Sequence, residues 1–280
     1  FQSLYTEQKT DDEDQDWLIS HTKRTLPIEQ RSYLDKDFTT QEFFTALLQM
    51  KPNKTPGIDG LPVEFYYTFW SDLKDSFIDV ANEIYFLQSL SKTQSLAIIT
   101  LIFKEKGQRN DITNWRPISL LCTDYKIITK ALANRLKKTI HHILSPDQTC
   151  GVPGRTIQSN LTLTRNIIYH AKQKKRQSYI LTVDQEKAFD KVNIKFLDKI
   201  LIKCNIGPYF RNWIQILYKN ITSQIQNNGH FSDVINITRG VRQGCPISPL
   251  LYTLIVETLA EAIKVDPQIR GYKLGKYNIK

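Results

Sequence analysis

The chain has 280 residues, 41% hydrophobic and 24% charged, which is enough apolar material for one large or two small cored domains and excludes a wholly disordered polypeptide. Lys and Arg outnumber Asp and Glu by 38 to 28, for a net charge of +10, and this favours a polyanionic partner. Residues 1–50 hold ten acids against five bases, so the remaining 230 residues carry +15. The four cysteines, Cys122, Cys150, Cys204 and Cys245, lie far apart without a Cys-x-x-Cys pair or a histidine at zinc spacing, so neither a disulfide scaffold nor a structural zinc is indicated. No apolar run approaches the roughly 20 residues of a membrane span, and no signal-peptide pattern opens the chain. An intracellular protein of the nucleus or cytoplasm is expected, and the start at Phe1 suggests part of a longer reading frame.

Residues 1–38, with the acidic run Thr10 to Asp16, read as a linker or extension with few apolar anchors. A helix is predicted from Thr39 or Thr40, with Phe43, Phe44, Leu47 and Leu48 on one stripe. The prolines and glycines of Lys51 to Gly60 require a loop. A long amphipathic helix is expected from Pro62 to about Gln88. Ser95 to Phe103 and Asn114 to Leu121 are β-rich runs around a polar loop, read as an antiparallel hairpin. Helices follow, one capped by Thr123 and one over Ile157 to Lys175, and then a compact strand over Ser178 to Asp184. Two more helical stretches (194–203 and 209–218) and a strand pair (221–226 and 234–238) precede the loop RGVRQGCPISP and a last helix. Without internal repeats, the fold class is α+β.

A strand that ends on Asp184 sets a carboxylate at a sheet edge, where it reads as a cap of the next turn or as a ligand for a hard cation. The surroundings decide between these. Phe189 lies five residues on, in Ala-Phe-Asp, and RGVRQGCPISPLL follows some fifty residues later. Here the sequence resembles the palm of reverse transcriptases, with its first metal-binding aspartate and its glutamine-glycine motif. LIFKEKG, NWRPISLLCTDYKIITKALANRL and DQTCGVPGR are similar to the family's fingers motifs, and KTPGIDGLPVEFYY is similar to the upstream motif of LINE-type, non-long-terminal-repeat retrotransposons. The ordered motifs span about Lys51 to Ala262.

The resemblance implies right-hand polymerase fingers over residues 39–176 and a partial palm over 177–280, with an antiparallel palm sheet packed on helices. It implies an RNA-directed DNA polymerase, a nucleotidyltransferase that acts on an RNA template, a DNA primer and deoxynucleoside triphosphates, with no membrane partner. Asp184 would be the catalytic metal ligand, joined by the Gln185 carbonyl, for Mg²⁺ or Mn²⁺. Lys104 and Arg116 would clamp the triphosphate. Phe189 would exclude a 2′-hydroxyl, and Gln243 and Gly244 would lie along the nucleotide. Gly57, Gly60, Arg155 and Arg242 would contact template or primer, while Asp190 and Lys187 fit core pairing or backbone contacts.

One departure matters. The family's second carboxylate motif, an Asp-Asp pair in an apolar hairpin, is missing, for the adjacent aspartates Asp11 and Asp12 sit in a polar run. The C-terminal IRGYKLGKYNIK resembles the segment leading into that hairpin, so the chain is expected to stop just short of it and to be inactive alone. The alternative is a decayed or domesticated remnant that at most binds RNA or an RNA–DNA duplex. A group II intron-type or RNA-copying polymerase is a third reading, which the upstream motif and Phe189 disfavour.

Overall fold

The computed structural model describes residues 2–275 and 277–280. The opening segment, expected to be a linker, instead forms α1 (Gln2–Tyr5), α2 (Asp12–Ser20) and α3 (Ile28–Leu34). Asp11 caps α2 by accepting from the Glu13 amide at 2.8 Å, and the acids of its first turn lie where the helix dipole favours negative charge. Lys199 bridges Asp12 and Asp16 at 3.2 and 2.9 Å. Tyr5, Leu26 and Leu34 are buried in the common core. The anchors are few but deeply buried, a property that composition does not report.

Helix α4 (Thr40–Leu48) begins with a capping box between Thr39 and Glu42 and buries Phe43, Ala46 and Leu47. The pattern after Pro62 gives two helices, α5 (Val63–Thr68) and α6 (Trp70–Leu87), because Phe69 at φ −102°, ψ 17° interrupts the helical path. A short α7 (Lys92–Ser95) leads into β1 (Leu96–Phe103).

Strand β1 pairs antiparallel with β2 (Trp115–Leu120), with Ile98 opposite Leu120 and Phe103 opposite Trp115. The expected hairpin is therefore present. Its other edge pairs in parallel with β3 (Ile221–Asn227), Leu96 lying opposite Thr222. β3 in turn pairs antiparallel with β4 (His230–Phe231) and β5 (Ile235–Ile237). The two strand pairs read from the sequence thus merge into one mixed sheet. The cause lies in β1, whose largely apolar run, broken by Thr100 and buried over Ala97 to Ile99, suits a central strand.

Helix α8 (Thr123–Thr139) buries Ile127, Ile128, Ala131, Leu132 and Leu136. Cys122, not Thr123, occupies its N-cap, and the Thr123 hydroxyl donates to the Leu61 carbonyl at 2.7 Å. Arg135 of α8 ties the first fifty residues to the body. It donates to both carboxylate oxygens of Glu42 at 2.6 and 2.8 Å and lies 4.0 Å over the Phe38 ring. The remaining elements are α9 (Ile157–Gln173), α10 (Ile194–Lys203), α11 (Pro208–Tyr218), α12 (Ser248–Val265) and the pair β6 (Tyr272–Leu274) and β7 (Tyr277–Ile279). One core cluster runs from Tyr5 to Leu254. Among the described residues no helix is long and apolar enough to cross a membrane.

The strand expected over Ser178 to Asp184 is not formed. Tyr179, Leu181 and Val183 are 86%, 86% and 74% exposed. A strand exists only by pairing, and no described segment forms a ladder with this one.

Candidate active site

Three chain segments converge on one open cleft. The β1–β2 connection brings Lys104, just beyond the end of β1, and Arg116, which lies opposite Ile102 in the ladder. The stretch before α10 brings Asp184, Gln185, Lys187 and Asp190, and the loop before α12 brings Gln243. These residues line a cleft of about 640 Å³, with Ser3 and Leu4 of α1 at its border. Lys104, Arg116, Asp184 and Lys187 are exposed. The Lys104 ammonium donates to the Thr113 carbonyl at 2.8 Å, which holds it near the root of the hairpin.

Gln243 forms part of the wall. Its side-chain amide donates to both oxygens of Asp190 at 3.0 and 3.1 Å, while its carbonyl accepts from the Ser119 amide at 2.8 Å. The Val241 amide donates to the Phe189 carbonyl at 2.8 Å. Gly244 has φ +117°, and a Cβ there would lie 2.6 Å from the Ser119 carbonyl oxygen, so this position demands glycine for both conformation and close approach. The glutamine-glycine pair is thereby clamped between β2 and the segment that ends at Asp190.

Asp190 is 3% exposed. Burial raises its carboxyl above the usual range, against the hydrogen bonds from Gln243 and from the Tyr5 hydroxyl at 3.4 Å. Burial, and then the neighbouring Asp190, push the Tyr5 hydroxyl far up as well. Phe189 stacks on Tyr252 with centroids 5.2 Å apart and an interplanar angle of 22°. The Tyr252 hydroxyl donates to the Gln185 side-chain oxygen at 2.7 Å, and burial followed by Asp184 raises its titration. Phe189 packs behind the wall and does not line the cleft.

Other predicted contacts sit elsewhere. Arg242 is 5% exposed, donates to the Gln94 carbonyl at 3.1 Å and to that of Ser95, and lies 5.3 Å over the Tyr125 ring. It anchors the loop to α7 and presents no free charge to a strand, which corrects its expected contact with template or primer. Arg155 likewise turns inward, donating to the carbonyls of Ser145, Gln148 and Leu144 to close its own loop. Gly57 is pressed on the start of α8, where a Cβ would meet the Cys122 nitrogen at 2.3 Å. Gly60, at φ +70° with open space around it, needs glycine for conformation alone.

The structure also gathers Asp59, Cys122 and Asp124, whose ligand atoms lie within 4.8 Å of one another and could hold a metal ion. Burial pushes the Cys122 thiol up to about 11 and raises Asp124, while burial lowers the nearby Lys126. The distance of Asp59 in sequence from Cys122 and Asp124 hid this group, and none of its members lines the cleft. In the cleft itself Asp184 and the Gln185 carbonyl offer the oxygen donors a hard cation takes. The Asp190 oxygens are held by Gln243 and Tyr5, so Asp184 is the free carboxylate of the lining. The described residues therefore fit one side of a divalent-cation site.

The family described as reverse transcriptase (RNA-dependent DNA polymerase) matches residues 103–276, which include every cleft residue named above except Ser3 and Leu4. The chain belongs to the reverse transcriptase family. Similar proteins come from retrotransposons, as the motifs led us to expect. The "Transposon TX1 uncharacterized 149 kDa protein" of Xenopus laevis is 38% identical over 83% of this chain and 18% of its own length. A "Retrovirus-related Pol polyprotein from type-1 retrotransposable element R2" of Nasonia vitripennis is 26% identical over 80% of this chain and 21% of its own. The "Probable RNA-directed DNA polymerase from transposon BS" of Drosophila melanogaster is 27% identical over 92% of this chain and 28% of its own. This reverse transcriptase domain thus spans about a fifth to a quarter of the length of those relatives.

Proposed function

We propose that this domain performs RNA-directed DNA synthesis for a retrotransposon, adding deoxynucleotides to a DNA primer on an RNA template inside the cell, in nucleus or cytoplasm. The observation that carries the reading is the convergence of Lys104, Arg116, Asp184 and Gln243 on one cleft. Lys104 and Arg116 supply fixed positive charge for a triphosphate, Arg116 through its planar fork and Lys104 as a point charge. Gln243, locked by Asp190 and Ser119, forms a rigid wall for nucleotide and template. Phe189, stiffened by Tyr252, lies outside the cleft lining and would limit the room for a 2′-substituent only through the wall it supports. Magnesium, or manganese in its place, would be held by Asp184 and the Gln185 carbonyl and would neutralise phosphate charge. Residues 39–176 would serve as fingers and 177–280 as palm.

One observation favours a second, binding-only reading. A single free carboxylate offsets the repulsion of two cations poorly. The 280-residue polypeptide on its own is therefore expected to bind nucleic acid without extending a primer. Primer extension on an RNA template, run with the complete reading frame and with its Asp184→Asn variant, separates the two. Synthesis that Asp184→Asn abolishes supports the polymerase, and nucleic-acid binding without any synthesis supports the binding module.

A further inference from the structure

Arg239 follows β5 and precedes the Gln-Gly loop. It is 7% exposed, and its Nε is buried without a hydrogen-bond partner. Among the described residues it forms no ion pair. Asp190 lines the same small void, of about 10 Å³, and attracts Arg239 across it, but its oxygens are hydrogen-bonded to Gln243 and Tyr5 and form no direct ion pair with the guanidinium. Buried charges are ordinarily paired, since desolvation costs several kcal/mol per ion. An arginine with a buried acid nearby but no direct ion pair, and with its Nε unpartnered, retains donors for an anion that comes from outside the chain.

The surroundings suit such an anion. Arg239 also lines a cleft of about 230 Å³ together with Lys9, Thr10, Lys191, Asn193 and Thr238. Glu7, the acid of that lining, is bound to Lys195 at 3.0 Å. Lys191 is shared with the exposed Glu186 at 2.9 Å, and Lys9 is exposed with no ion pair among the described residues. Sites that enclose a whole small molecule occupy ~300–1,000 Å³. The smaller volume here fits one charged group of a larger ligand, with hydroxyl and amide groups to donate hydrogen bonds to it.

We infer that Arg239, Lys9 and Lys191 form a subsite for one backbone phosphodiester of a bound nucleic-acid strand, next to the nucleotide cleft and separate from it. Its choice of ligand rests on the proposed function. The wall of Tyr5, Asp190 and Gln243 joins the two places, since Asp190 and Gln243 line the nucleotide cleft and all three share the small void with Arg239. The opening segment, through Lys9, would then help to hold the strand whose end the cleft processes.

Fluorescence anisotropy of a labelled RNA–DNA hybrid with the 280-residue chain, across a potassium chloride series, tests this. Each phosphate contact contributes ~0.9 to the slope of log affinity against log salt. The Arg239→Gln/Lys9→Gln double variant is expected to flatten the slope by about that amount and each single variant by part of it, and Arg239→Lys to retain it. Lys9 is exposed, so its variant reports even where loss of Arg239 disturbs folding, which circular dichroism monitors. Wild-type slope and affinity in both Gln variants, with hybrid binding intact, would overturn the inference and leave the proposed function standing. A wild-type chain that binds no hybrid removes both. Inorganic phosphate that binds in an Arg239-dependent way at concentrations that leave the hybrid bound would assign the site to free phosphate and overturn the strand assignment.

Discussion

The side-chain amide of Gln243 spans both carboxylate oxygens of Asp190, 53 residues earlier in the chain. Two motifs distant in sequence are thereby locked into one wall, and the lock is built on a buried acid. Burial raises the Asp190 carboxyl, so the folded chain binds its proton more tightly than the unfolded chain. The stability this group contributes is greatest when it is protonated. It falls as pH rises from the ordinary aspartate range near ~3.9 through the raised folded value, and is flat above that. Asp190→Asn should lack this slope. Urea denaturation of both proteins across that window checks it: the wild type should gain on the variant as pH falls, and parallel curves would remove the account.

Arg135 donates to Glu42 and to the carbonyls of Leu34, Lys36 and Asp37 while almost wholly buried. Replacing it with Leu strands a carboxylate and three carbonyls at once. Loss of one partner of a buried pair costs ~3–5 kcal/mol, and because Glu42 keeps 29% exposure the lower end is expected. Chemical denaturation gives the value, and a loss below about 1 kcal/mol, the size of a surface pair, would contradict the anchoring role.

The pattern of what the sequence revealed follows from range. Local signals were sound: the helix start at Thr39 or Thr40, the hairpin of β1 and β2, and α10 over residues 194–203 all formed where spacing put them. The convergence of Lys104, Arg116, Asp184 and Gln243 on one cleft was legible because the motifs that carry them are short and ordered. Non-local pairing was not legible. Nothing in LAIITLIF says that its free edge takes Ile221–Asn227 in parallel, nor that Tyr5 reaches Asp190. Charge also misled, because Arg242 and Arg155 look like strand contacts until their carbonyl partners are seen. The run SYILTVD has every strand signal and, among the described residues, no strand that pairs with it.

Gly244 combines φ +117° with contact on the Ser119 carbonyl. Gly244→Ala should cost ~1–3 kcal/mol from backbone strain alone, with more from the overlap, and should loosen the clamp between β2 and the loop. Thermal melting measures the first effect. Hydrogen exchange at the Ser119 amide measures the second, and unchanged protection there would argue against the clamp.

Phe189 is braced by Tyr252, so its ring position is fixed. In the complete reading frame, Phe189→Ala should raise the use of ribonucleotides relative to deoxynucleotides by at least about tenfold, or ~1.4 kcal/mol of discrimination. Competition between the two triphosphates in single-nucleotide extension reads this ratio. An unchanged ratio would take selectivity away from Phe189.

The central claim is that the cleft of Lys104, Arg116, Asp184 and Gln243 is a DNA-synthesising site, and its most direct test is RNA-templated primer extension by the complete reading frame beside its Asp184→Asn variant. The account predicts deoxynucleotide incorporation by the wild type and a loss of at least about a thousandfold in the variant, equivalent to ~4 kcal/mol of barrier. Incorporation by the variant at the wild-type rate would contradict it.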